Sequence, residues 1–165
     1  MIIREVKTTY RKVGEMTGNL SDSIIDDPEK AWKAVKSFME QKADKGELNP
    51  EREHFMVLFL NIKNRLKGIE IISSGTQDAT LISPTCVFQS VVREGIKTIV
   101  VAHNHPSGDP TPSEADIRVT RQLREAAKIL SVKLLDHVVC GEQSSDPSSL
   151  ANFKGYYSFR DSGLL

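Results

Sequence analysis

The run His103–Asn104–His105–Pro106, followed at short range by Ser113 and Asp116, collects the residue types of a metal site. Zinc takes imidazole nitrogen and carboxylate oxygen tetrahedrally, and catalytic zinc sites use three protein ligands and keep a fourth position for water. His103 and His105 are two apart, and in an extended segment positions i and i+2 face the same way. Both rings can then reach one ion. Asp116 is the best third ligand, because it falls in the first turn of a helix that the intervening loop folds back toward the strand end. Ser113 and Asp116 also have the spacing of a capping box, in which the two side chains bond each other's backbone amides. One carboxylate oxygen can hold metal while the cap fixes its direction. Pro106, Pro110 and Pro112 stiffen the loop and reduce the entropy of holding the ligands together.

Such a metal lowers the pKa of water toward neutrality and polarises a carbonyl oxygen, and a base must then take the proton. The ligand loop offers only Asp109 and Glu114, so the base has to come from another segment. Glu51, Glu53 and Glu70 flank the first two strands, and Glu53 stands just before the apolar run 55–60. Taken singly, a glutamate in such a place is more often a solvated surface charge.

The elements that would position these groups follow from periodicity. Asp26 or Asp27 can cap a helix with Pro28 in its first turn, and Ala31, Trp32, Val35, Phe38 and Met39 predict an amphipathic helix over 28–42. The polar stretch 41–47 marks a boundary between an N-terminal extension, 1–45, and the main unit, 46–165. Phe55–Leu60 reads as a strand buried on both faces, and Ile69–Ile72 as its hairpin partner. Ser83–Pro84 opens a helix with Val87, Phe88, Val91 and Val92 on its apolar face and Gly95 at its end. Thr98–Ala102 is the next buried strand, and a helix from Ser113 to about Leu130 has Val119, Leu123, Ala126, Ala127 and Leu130 on its inner stripe. Strands at 132–139 and 156–159 follow, separated by a serine-rich segment, 143–156, that reads as a surface insertion. Helices alternating with strands after a hairpin predict an α/β (α+β) fold, a mixed sheet with helices packed on it. The histidine pair falls at the C-terminal edge of a strand, a common place for sites in such sheets.

The chain has 165 residues, 39% apolar and 27% charged, which suits an ordinary core. Lys plus Arg and Asp plus Glu are 22 each, so no positive excess is available to coat DNA. Cys86 and Cys140 form no Cys-x-x-Cys pair and read as small core residues of a reduced, cytoplasmic protein. The N-terminus mixes Arg4, Glu5 and Lys7 into a short apolar start, unlike a signal peptide, and no segment has the apolar length of a membrane span.

His103–Asn104–His105–Pro106 with Ser113 and Asp116 resembles the JAMM motif of the JAB/MPN metalloprotease superfamily. More closely, the chain resembles the RadC family through Arg52–Glu53–His54–Phe55–Met56–Val57–Leu58–Phe59–Leu60–Asn61, Ser74–Gly75–Thr76, Ala102 to Gly108 with Pro112–Ser113, Leu135–Asp136–His137, and the tail Ser158–Phe159 with Gly163–Leu164–Leu165. The resemblance implies an MPN, cytidine-deaminase-like architecture with one zinc ion on His103, His105 and Asp116 and a peptidase or isopeptidase activity toward a polypeptide substrate. It implies that Glu53 is the general base and that Ser113 hydrogen-bonds the attacking water or the oxyanion. Longer members carry an N-terminal helix-hairpin-helix region associated with DNA. No paired hairpin-glycine signature precedes the match here, which weakens a DNA-repair role.

Two other function classes stand beside the peptidase. One is a nucleic-acid enzyme, although three adjacent letters His-Asn-His are not the HNH nuclease motif, and the His-x-Glu and Pro-Cys-x-x-Cys of zinc deaminases are missing. The other is a non-catalytic MPN scaffold, which commonly loses ligands that this sequence retains. His54 can point away from Glu53 along the strand. His137 lies in an apolar strand and reads as a core histidine with a satisfied hydrogen bond, or with Asp136 as a support behind the metal ligands.

Overall fold

A computed structural model describes residues 23–75, 82–143 and 154–165. Within them the order is α1 (Pro28–Asp44), β1 (His54–Leu60), β2 (Leu66–Ser74), α2 (Pro84–Arg93), β3 (Thr98–Asn104), α3 (Glu114–Ile129), β4 (Lys133–Cys140) and β5 (Tyr156–Ser158). The strands form one mixed sheet in the order β2-β1-β3-β4-β5, in which only β3 and β4 run parallel. The α/β (α+β) expectation holds, and the architecture is that of a JAB/MPN fold.

Strand alternation divides the core in two. On one face Met56, Leu58, Leu60, Val100, Ala102, Val138 and Cys140 meet Ala31, Trp32, Ala34 and Val35 of α1. On the other Phe55, Val57, Ile99 and Val101 meet Val87, Phe88 and Val91 of α2 and Leu123 and Ala127 of α3. The helix placed before the boundary at 45 is thus one of three layers packed through the sheet. It starts where Asp27 caps the Lys30 amide ahead of Pro28, and its apolar side chains recur at helical spacing.

One irregularity matters for the site. Along the β3–β4 ladder Ile99 faces Leu134, but Val100 faces Asp136, so Leu135 is an extra residue in β4. Such a bulge shifts the alternation by one. Leu134 and Leu135 still pack on opposite faces, and beyond the bulge Val138 and Cys140 lie on the α1 face. His137 therefore turns to the α3 face, the one that receives His103.

Three expectations are corrected. Val92 (56% exposed) and Leu130 (39%) are not core residues. Val92 lies in the last turn of α2, past the buried line Val87–Val91, and Leu130 is the C-cap of α3. Cys86 is exposed in the first turn of α2 beside Ser83, whose hydroxyl contacts its sulfur at 3.2 Å, whereas Cys140 is buried and its thiol is pushed up to about 12. Most of the insertion expected at 143–156 lies outside the described residues. No helix among the described residues is long and apolar enough to cross a membrane.

Candidate metal centre

His103 is the penultimate residue of β3 and is fully buried, paired across the sheet with Phe55 on one side and Val139 on the other. His105 continues the strand by one bond, its amide donating to the Cys140 carbonyl at 2.8 Å, so the i, i+2 geometry is kept. Asp116 stands in the first turn of α3. Its Oδ2 accepts from the Ser113 amide at 2.7 Å, and its own amide donates to Ser113 Oγ at 3.2 Å. The capping box is complete, and it aims the carboxylate back at the strand end.

The three side chains converge. His103 Nε2 lies 3.0 Å from His105 Nε2 and 3.2 Å from Asp116 Oδ1, and His105 Nε2 lies 3.7 Å from Asp116 Oδ2. One ligand atom from each falls within 4.8 Å of the others, so the His103–His105–Asp116 group can hold a metal ion. The far side of each ring is also engaged. His105 Nδ1 donates to the Asp109 carbonyl at 2.7 Å, an acceptor that leaves no choice of tautomer and keeps Nε2 bare whenever the ring is neutral. His103 Nδ1 is 2.9 Å from Nε2 of the buried His137.

The electrostatics suit a cation. Burial works to raise the Asp116 carboxyl, but the facing imidazoles of His103 and His105, with the Ser113 hydroxyl, hold it well below the usual carboxylate range. Burial works against charge on His105. The Asp116 hydrogen bond, the Asp109 carbonyl and the charges of Asp116 and Glu53 outweigh it and raise the imidazole above its ordinary value. At His137 complete burial holds the imidazole well below its ordinary value and therefore neutral.

Among the glutamates singled out in the sequence, Glu53 is the one whose charge acts on His105. It precedes β1, two residues before Phe55, the ladder partner of His103, and its carbonyl accepts from the Gly75 amide at 2.9 Å. Glu51 is exposed in the preceding turn, and Glu70 sits within β2 opposite Val57. Ser113 Oγ lies 2.6 Å from Asp116 Oδ2, to which its hydroxyl donates. His54 does point away from the site, toward Ser74 Oγ (2.8 Å) and the Asn49 carbonyl (2.7 Å). Asp136 is tied up structurally, accepting from the His137 and Arg160 amides and from Ser158 Oγ at 2.6 Å.

Two supports escape the sequence reading. Asn104 turns to the α1 face, where its Oδ1 accepts from the His54 amide at 2.8 Å and its Nδ2 donates to the Arg52 carbonyl at 3.0 Å. These bonds clamp the backbone on both sides of Glu53. Gly141 carries the second support. A Cβ there would overlap the Gly108 carbonyl oxygen and lie 2.8 Å from Pro110 Cδ, so only glycine lets the loop that bears Asp109 settle on the end of β4. Trp32 of α1 approaches the same place, its Nε1 3.4 Å from the Gly141 carbonyl. No local pattern signals either support, since each spans tens of residues.

A family model described as RadC-like JAB domain matches residues 25–164. The chain belongs to that family. It is 45% identical over 108 residues to a UPF0758 protein of Caldanaerobacter subterraneus, covering 66% of this chain and 45% of the relative. It is 37% identical over 138 residues to a UPF0758 protein of Syntrophomonas wolfei, covering 83% and 57%. A third UPF0758 protein, from Symbiobacterium thermophilum, is 42% identical over 113 residues, covering 68% and 44%. The chain thus spans about half the length of the curated relatives it matches. The RadC-like match includes α1, in keeping with its place in the core.

Proposed function

We propose that the chain is a zinc-dependent hydrolase acting on an amide bond, a peptidase or isopeptidase whose substrate is a polypeptide. The observation that carries this reading is the convergence of the Nε2 atoms of two imidazoles and one ionised carboxylate within 4.8 Å of one another, with Glu53 near enough for its charge to act on His105. The fit to zinc is geometric and chemical. Ligands at 2.0–2.1 Å in a tetrahedron lie about 3.3 Å apart; the two imidazole nitrogens stand 3.0 Å apart, and one donor atom from each of the three residues lies within 4.8 Å of the others, a spacing that a small inward shift brings to that value. With one His105 hydrogen committed to Asp109 and that of His103 to His137, the rings in their neutral forms turn two lone pairs toward each other, an arrangement that a cation between them relieves. His103, His105 and Asp116 would hold the ion.

A bound zinc ion supplies a water acidic enough to attack at neutral pH and a Lewis acid for the carbonyl oxygen. The residues of the chain do the rest. Glu53, held between the two Asn104 bonds, takes the proton as general base and passes it to the leaving nitrogen. Ser113 orients Asp116 and, when its single hydroxyl hydrogen turns from Oδ2, becomes a donor for the developing oxyanion. The fully buried Phe55 and Phe159, stacked on His103 and His137 respectively, keep water from the inner side of the ligands.

The test is a zinc-loaded peptide-library cleavage screen with Glu53→Gln as control. Metal-dependent cleavage that Glu53→Gln abolishes while keeping its metal supports the reading. A protein that takes up no zinc, or a Glu53→Gln variant that cuts as fast as the parent, overturns it. Intact partner binding by an unmetallated protein would instead favour a scaffold.

A further inference from the structure

The two candidate ligand rings differ in what stands behind them. Behind His105 is a carbonyl, which can only accept. Behind His103 is another imidazole, His137, which can either accept or donate. The direction of the His103–His137 bond decides which nitrogen of His103 carries the hydrogen, and with it whether Nε2 has a lone pair to offer. Something beyond His137 must settle that direction.

That group is Thr120. Its Oγ1 lies 2.6 Å from His137 Nδ1 and 2.5 Å from the Asp116 carbonyl, one helical turn back on α3. A hydroxyl has one hydrogen, and a carbonyl has none to give. Two oxygens at that separation without a hydrogen between them would repel. The Thr120 hydrogen therefore goes to Asp116 O, and Thr120 Oγ1 can only accept from His137. His137 then carries its hydrogen on Nδ1 and presents a bare Nε2. His103 donates to it through Nδ1–H, which leaves its own Nε2 bare toward His105 and Asp116. Reversing the chain would put a hydrogen on His103 Nε2, where Asp116 Oδ1 at 3.2 Å is ready to receive it. That second arrangement holds the same number of protons and fills the metal position with one of them.

We propose that Thr120 and His137 form a directional relay that keeps His103 in its metal-ready tautomer. They are positioning residues, and neither touches metal or substrate. The proposal rests on the metal reading above. The fold supports the relay in three ways. The bulge at Leu135 turns His137 to the α3 face. The capping box fixes α3, and so Thr120, relative to the strand end. Thr120 is 1% exposed and His137 is fully buried, so no water competes for the bonds.

The test uses the full chain with Thr120→Val, which keeps the shape and deletes the hydroxyl, and Thr120→Ser, which restores it. Imidazole nitrogen-15 shifts of the metal-free protein report which ring nitrogen carries hydrogen. The wild type should show His103 protonated on Nδ1, and folded Thr120→Val should show it on Nε2. Competition of Zn²⁺ against a chromophoric chelator should give an affinity about 10- to 100-fold weaker in Thr120→Val, with Thr120→Ser close to wild type. A wild-type His103 protonated on Nε2 overturns the relay, and that measurement needs no variant. So does unchanged zinc affinity in a folded Thr120→Val protein. If the wild type itself takes up no zinc, the metal reading fails, while the tautomers of wild type and Thr120→Val still decide the relay on their own.

Discussion

The two histidines of the site are held in opposite ways. His103 is fully buried, and the groups behind it are side chains from two further elements, His137 of β4 and Thr120 of α3. His105 is partly exposed, and the group behind it is backbone, the Asp109 carbonyl on a loop seated against Gly141. The buried arm is shielded from water but needs a device to set the direction of its hydrogen bonds. The loop arm has a fixed direction but depends on a close approach that one methyl group would spoil. Asp116 faces both rings, and it is where the arms meet.

Asp116→Asn should therefore have the largest effect, since it removes the charge both arms share. The amide oxygen can still accept from the Ser113 amide, so the cap survives while zinc affinity falls by more than the roughly 100-fold lost with a supporting group. Circular dichroism and metal analysis of the dialysed protein separate fold from site. A variant that keeps stoichiometric zinc would mean that the arms do not converge on Asp116. Glu53→Gln belongs to neither arm. It should keep the metal and lose about 10²- to 10⁴-fold in cleavage rate. Loss of metal in that variant would place Glu53 among the ligands instead.

What the sequence made legible was mostly local. The His-x-His spacing, the Ser113–Asp116 box and the amphipathic faces of α1 and α3 each occupy a few turns of chain, and periodicity alone exposes them. The same logic misplaced Val92 and Leu130, because a helical stripe does not say where the sheet beneath its last turn stops. Illegible were the features made by distant chain meeting chain. One inserted residue in β4 decides which face His137 takes, yet Leu134–Leu135 reads as unbroken strand. Asn104 sits between the two histidines, and its part is played on the opposite face, 50 residues away at His54. Gly141 looks like an ordinary strand-ending glycine until the Gly108–Pro110 backbone is laid against it.

Gly141→Ala tests the loop arm alone. The added methyl must displace the Gly108–Pro110 backbone, with an overpacking cost of about 1–3 kcal/mol. The Asp109 carbonyl moves with it, so His105 loses its brace while the chain behind His103 is untouched. The zinc affinity should drop about tenfold, the lower end for a supporting group. In the nitrogen-15 spectrum the His105 signals should change and those of His103 and His137 should not. Equal disturbance of all three rings would show that the arms are one mechanical unit.

The smallest effect expected is in the pH dependence, and it too should divide the arms. His105 carries a raised pKa in the metal-free protein, because Asp116, the Asp109 carbonyl and Glu53 together outweigh burial. A raised folded-state value means that the charged His105–Asp116 pair adds stability in full below the unfolded imidazole value, near 6.5, and loses it as pH rises through the folded value. The depressed Asp116 carboxyl adds stability above its unfolded value, near 3.8, and so contributes throughout that range. Zinc must displace the proton from His105. Its apparent affinity should fall, by no more than about tenfold per pH unit for one proton, as pH drops through the His105 value. His137 is neutral across the range and adds no second step. Nitrogen-15 shifts of the metal-free protein at several pH values should find His105 titrating across this range while His137 does not. A His137 ring that gains its proton together with His105 would end the contrast between the two arms.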